Sequence, residues 1–178
     1  MESIIHEIVG KIINSFDEEL EKLVRERKDI SYFILAIKKM LDGVGATLVA
    51  EALETVDEVY RNSRDRRQNW TIKEKAAEKT LATIFGEVRY KRAYYKNKRT
   101  GEYSYLSDEA VGIKAHDRLD ASLKAKLIED AVFMPYNKSA KKASEAVELT
   151  SQTVMNSIRE LGSVDNNAVE IKQEKKPT

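Results

Sequence analysis

Residues 70–106, WTIKEKAAEKTLATIFGEVRYKRAYYKNKRTGEYSYL, decide the fold. β-Branched and aromatic residues crowd there into short alternating runs, WTIKEK, TLATIF, VRYKRAYY and EYSYL, which is how half-buried strands read. Phe85-Gly86-Glu87 offers one turn, and Asn97-Lys98-Arg99-Thr100-Gly101 offers a hairpin loop with glycine at its end. The expectation is a small antiparallel sheet. On its long strand Val88, Tyr90, Arg92 and Tyr94 fall on one face and Arg89, Lys91, Ala93 and Tyr95 on the other, so both faces mix charge with tyrosine.

Outward from this centre the period changes from two to three and four. Upstream, Ile5, Ile8, Ile12, Phe16, Leu20 and Leu23 mark one amphipathic helix. A second starts at Asp29, a suitable N-cap, and runs through Ile34, Ile37, Leu41, Val44 and Leu48 to Val56 and Tyr60. The two should pair as an antiparallel hairpin, with Gly43 and Gly45 predicting a kink or a close crossing. Such stripes serve a dimerisation coiled coil and an internal core equally well. Residues 61–69, RNSRDRRQN, read as the end of that helix or a linker. Downstream, Leu119, Leu123, Leu127, Ile128 and Ala131 form a stripe ending before Pro135. Two short helices follow at 138–147 and 151–161, the second capped by Thr150 or Ser151.

The predicted class is α+β, mostly α. Residues 1–66 form a helical hairpin, 67–113 a small sheet with a basic hairpin, 114–162 a helix-turn-helix-like unit, and 163–178 a flexible tail.

Charge is segregated although the net value is only +1. Residues 1–60 hold 7 basic and 13 acidic side chains, residues 61–99 hold 13 and 4, and residues 100–178 hold 11 and 13. A cationic middle points to a local anionic partner better than the total does, although a solvated surface accounts for it too. Within it Arg89, Lys91, Arg92, Lys96, Lys98 and Arg99 interleave with Tyr90, Tyr94 and Tyr95. Such a ribbon can track phosphates while its rings stack, and the same rings can equally face a core. In the C-terminal helix pair Ala143, Val147, Leu149, Val154 and Ile158 can close around a turn, leaving Gln152, Asn156 and Arg159 outward. Those side-chain types reach base edges and phosphates, though a generic helical hairpin has the same pattern and Glu148 replaces the usual turn glycine. Gln152 and Asn156 are therefore expected to set sequence preference, and Lys91 and Arg92 general affinity.

Several classes are set aside. With no cysteine there is no thiolate nucleophile or Cys-based zinc site, and His6 and His116 lack ligand spacing, so no metal is expected. Asp108-Glu109, Asp117/Asp120 and Glu129-Asp130 read as solvated or capping carboxylates. No P-loop, GxGxxG or HExxH occurs, so neither a catalytic residue nor a small-molecule substrate is assigned. The acidic N-terminus does not read as a signal peptide and no run reads as a membrane span, so a cytoplasmic location is expected. Trp70 reads as a core anchor before a ligand platform.

The combination of T-x-FGEV, RxYYKNK-x-TGEY-x-YL-x-DE-x-x-GI and QTVMN-x-I, spread over residues 60–162, resembles the ISLre-type insertion-sequence transposases, an uncharacterised protein family. The resemblance implies binding of double-stranded DNA at element ends and self-association, here as a homodimer or larger. It also implies a protein more than twice this length, whose later RNase-H-like domain uses three acidic residues and divalent metal as a DDE-type transposase. This chain is expected to stop before that domain, to hold no cofactor and not to be an enzyme by itself. The competing expectation is a dimerising interaction or regulatory protein without DNA binding. Ser107 stands where the family pattern usually has Leu, and Lys79 where it has Arg.

Overall fold

The computed structural model describes residues 2–143 and 147–162. The flexible tail expected at 163–178 and residues 144–146 of the helix expected at 138–147 lie outside the described residues. Helix α1 (Glu2–Arg25) and helix α2 (Ile30–Asn62) form the expected hairpin. Asp29 caps α2, its carboxylate accepting from Tyr32 N at 2.8 Å, and Ser63 starts the short helix α3 (Arg64–Asn69) by accepting from Arg66 N. Arg61 and Asn62 thus end α2, as one of the two expectations has it, and residues 64–69 form a separate short helix.

β1 (Trp70–Thr83) is one strand of 14 residues, where the alternation predicts two. The phase break in EKAAEK is absorbed by register shifts between Ile72 and Glu74 and between Glu74 and Ala77, so the strand changes face without ending. β1 pairs antiparallel with β2 (Gly86–Asn97), which pairs with β3 (Tyr103–Ser104), in the order β1-β2-β3. The first turn is held by Thr83, whose hydroxyl accepts from Phe85 N and donates to Gly86 O, with Gly86 at φ 115°. The second turn is an Asx arrangement: Asn97 Oδ1 accepts from Arg99 N and Thr100 N, and Gly101 takes φ 79°.

Helix α2 runs unbroken through both glycines. Gly45 allows a close approach, since a Cβ there would stand 2.6 Å from the Phe85 ring, while Gly43 has open space around it. The C-terminal half of α2 packs on the sheet through Ala46, Val49, Ala50 and Leu53, against Leu81, Val88 and Tyr90. It also closes the free edge of β2. Lys91 N donates to Glu54 Oε1 at 2.8 Å and Ala93 N to Asp57 Oδ1 at 2.9 Å, one helical turn matching two strand residues. Side-chain carboxylates thereby take the place of a missing strand.

After the short helix α4 (Leu106–Ala110), residues 118–120 dock on β1: Ala82 N donates to Arg118 O and Asp120 N to Ala82 O. Asp120 then caps α5 (Ala121–Phe133), which ends ahead of Pro135. α6 (Tyr136–Ala143) starts earlier than the spacing predicts, and Val147 lies outside it. α7 (Ser151–Glu160) is capped by Thr150, accepting from Thr153 N. The three helices enclose Leu123, Leu127, Ala140, Ala143 and Val154, with Leu149 and Ile158 at the margin. Ser139 donates to Leu127 O at 2.7 Å and lets α6 lie close to α5.

Candidate nucleic-acid interface

Helix α7 turns Val154, Ser157 and Ile158 toward α5 and α6, which leaves Gln152, Asn156 and Arg159 on its outer face in steps of four and three. All three are exposed, and Gln152 Nε2 donates to Asn156 Oδ1 at 2.8 Å, so the two amides are held in register along the helix. The unit is an arrangement of three helices, and Val147 and Leu149, ahead of α7, pack against their shared core.

Sequence reading missed the cations of α6. Ser139, Ala140 and Ala143 are buried, and Lys138, Lys141 and Lys142 are exposed. Lys142 pairs with Asp130 of α5. The signal was present as Lys at i, i+3 and i+4 alternating with small residues just after Pro135. Lys124 of α5 bridges Asp117 at 3.4 Å and Glu160 at 2.9 Å, fixing the end of α7; its pKa is raised, first by the hydrogen bond it donates to Glu160.

The basic hairpin does not form one patch. Arg92 is 5% exposed and belongs to the interior, a correction to its place in the cationic ribbon. Its guanidinium meets the Asp108 carboxylate and lies 3.5 Å from the Tyr105 ring centre. The same carboxylate accepts from Tyr90 Oη at 2.8 Å and lies 3.7 Å from Lys79 Nζ. A buried charge must be paired, and this cluster of four groups meets that need between β1, β2 and α4. Asp108 is therefore a buried hub, where the sequence pattern suggested a solvated carboxylate. Asp117 and Asp120 do serve turns and caps, accepting from Lys114 N and Ser122 N.

Burial lowers the Lys79 pKa to about 8, helped by the Arg92 charge and opposed by Asp117. Lys79 also donates to Lys114 O at 3.0 Å and Ala115 O at 3.3 Å. Burial likewise raises Tyr90 to about 12, against the Arg92 charge, and lowers Arg92. Asp57, 1% exposed, forms a second node with Ala93 N, Ser107 Oγ at 2.9 Å and Arg61 at 3.5 Å. Lys79 and Ser107 thus both sit in buried polar nodes.

Of the tyrosines, Tyr90 and Tyr95 are core, and Tyr94 is half-buried between Tyr103 and Tyr105, at 5.4 and 4.7 Å. Trp70 is half-buried. Among the remaining cations, Lys91 is exposed and Arg89 pairs with Glu87 at 2.9 Å. Lys96 lies 5.4 Å from the Tyr103 ring centre. Lys98 and the exposed Arg99 sit at the hairpin tip, where Lys98 Nζ donates to Arg67 O at 2.6 Å. This joins the tip to the arginines of α3. The strand between Arg89 and Asn97 spans roughly 26 Å at about 3.3 Å per residue, so the cations fall into two groups. Arg89 shares a cleft of about 810 Å³ with Arg118, His116 and Thr153 of α7, whereas Lys98, Arg99, Arg64 and Arg67 occupy the far end.

The family description UPF0236, an uncharacterised protein family, matches residues 7–178. The chain belongs to this family. A UPF0236 relative from Caldanaerobacter subterraneus subsp. tengcongensis, whose name joins four locus designations, is 35% identical over 176 residues, 97% of this chain and 37% of its own length. Another from the same organism is 36% identical over 165 residues, covering 90% of this chain and 35% of the relative. A third, whose name joins eleven locus designations, is 34% identical over 155 residues, or 87% and 32% of the two chains. This UPF0236 chain therefore spans about a third of the length of the relatives it matches. No solved structure matches it. Among the described residues no group of three or more His, Asp or Glu could hold a metal ion, and no helix is long and apolar enough to cross a membrane.

Proposed function

We propose that this chain is the DNA-binding and assembly region of an insertion-sequence transposase, with strand-transfer chemistry carried by the part of the longer relatives that it does not cover. The observation that carries the proposal is the α5–α7 unit: a recognition-type row, Gln152, Asn156 and Arg159, on the open face of a capped helix, with exposed lysines on the preceding one. Amide pairs at i and i+4 suit adenine edges in the major groove, and flanking cations suit phosphates. Repeated locus designations within one organism support a mobile element, since a self-copying gene leaves many copies behind. The exposed apolar rows of α1 and α2 favour the second reading, a self-associating interaction protein that binds no DNA.

The test is fluorescence anisotropy of the whole chain, first with random duplex in dilute salt and then with a duplex selected from a random library. Binding of random duplex at micromolar concentration is expected, with tighter binding of the selected site. Gln152→Ala with Asn156→Ala should reduce the preference for the selected site roughly 10- to 100-fold and leave the salt slope unchanged. Lys98→Ala with Arg99→Ala should weaken both duplexes and lower the slope by about 2. Absence of any duplex binding would leave the interaction protein as the better account.

A further inference from the structure

The two sides of the α1–α2 hairpin differ in kind. One carries a groove of about 730 Å³ whose walls mix the charged Lys11, Glu18, Glu19 and Lys39 with Ile8, Tyr32, Leu35 and Met40. On the other side lie apolar residues that nothing among the described residues covers. In α1 these are Val9, Ile13, Phe16 and Leu20, in steps of four, three and four, and α1 turns a different row, centred on Ile8 and Ile12, toward α2. In α2 they are Ile34, Leu41 and Leu48, at strict seven-residue spacing and 60%, 54% and 49% exposed, with Ile37 and Val44 half-buried between them. The edge-to-face contact of Phe16 with Phe33, ring centres 6.0 Å apart, ties the two rows into one continuous face.

We infer that this face is covered by a second copy of the same chain, two hairpins closing into a four-helix bundle about a two-fold axis near Leu41. This names the partner for the assembly half of the proposed function and does not depend on DNA binding. A seven-residue apolar repeat is matched by another helix of that repeat, and a second copy supplies one with the same length and spacing. A flat or irregular partner would not reward the strict period. The open side chains amount to on the order of 700 Å² per chain, close to the ~800 Å² per partner of a standard interface. A two-fold arrangement lets one patch complete itself, and Leu41 is the midpoint of the Ile34–Leu48 row. The far half of α2 is already occupied by the sheet, which confines the bundle to the exposed half.

The experiment is sedimentation of the whole chain over a concentration series, with two variants. The wild-type chain should be a dimer at micromolar concentration. Leu41→Glu should weaken the dimer roughly 100-fold or more by placing two carboxylates at the axis, with helical circular dichroism and thermal melting of the monomer unchanged because the site is open there. Since the chain has no cysteine, Leu41→Cys provides a direct probe. Under oxidation it should form a covalent dimer, whereas Val132→Cys, on α5 and more open than Leu41, should not. A monomeric wild type overturns the inference, and so does a dimer that Leu41→Glu leaves intact or in which Leu41→Cys crosslinks no better than Val132→Cys. Loss of the dimer in Leu41→Glu with no duplex binding by any form would uphold the bundle and remove the DNA proposal.

Discussion

The N-terminal hairpin and the C-terminal three-helix unit are written in the same three-four apolar code and reach opposite outcomes. In α5–α7 the coded residues Leu123, Leu127 and Val154 are fully buried and the cations stand outside. In the exposed half of the hairpin the coded residues Ile34, Leu41 and Leu48 stand outside themselves. Three helices can enclose a core, whereas two can cover only one flank of each other. Periodicity therefore shows that a face wants burial, and the number of elements at hand decides whether it gets it within one chain. Helix α2 passes between the two regimes, open at its start and clamped to the sheet at its end.

The sharpest test of that passage is Asp57, where α2 enters the enclosed region. Asp57→Ala leaves Ala93 N and Ser107 Oγ without their acceptor and should lower the unfolding free energy by about 3–5 kcal/mol in urea titration. A loss below about 1 kcal/mol would mean that the clamp contributes little. Next, Leu127→Ala should cost about 2–5 kcal/mol, while Leu41→Ala should change the monomer by less than about 0.5 kcal/mol. Equal losses, measured below the dimerisation range, would erase the contrast between the regions.

A pH effect follows from the node between them. Lys79 has a folded pKa of about 8 against an ordinary 10.5, so the folded state gives up its proton first. Between those values the unfolded chain binds more protons, and stability should rise with pH, on the order of 1–3 kcal/mol in all. Tyr90, raised from 10.0 to about 12, and Tyr95, raised likewise, act in the opposite direction above pH 10, so the useful window is pH 8–10. Lys79→Arg, which does not titrate there, should abolish the rise when denaturant midpoints are compared across that window. The smallest contrast lies within one turn of α2. Gly43→Ala should stabilise by about 0.5–1 kcal/mol in thermal melts, and Gly45→Ala should destabilise because its Cβ meets the Phe85 ring.

At the candidate site, the outward row of α7 was legible because Thr150 caps the helix and Val154 and Ile158 fix its phase. The lysines of α6 were legible in principle, at a spacing that sequence reading passed over. The burial of Arg92 was not, since alternation along β2 places it with Val88 and Tyr90 but says nothing of what covers them. Only Asp108, from the next helix, makes that face a tolerable place for a guanidinium. A strand's phase identifies which residues share a face, and the chemistry of that face comes from its partner.

By itself, the sequence determined where α2, α5 and α7 start, and which residues share a face within each element. Asp29, Asp120 and Thr150 cap, Pro135 separates α5 from α6, and Gly101 permits the hairpin turn, all through bonds and backbone preferences spanning a few residues. Tertiary structure alone decided that EKAAEK continues one strand, that Asp57 and Glu54 seal the edge of β2, and that one apolar row is enclosed while another is left open. Those outcomes join residues tens of positions apart, so their free energy depends on which surfaces meet, a quantity no local pattern contains.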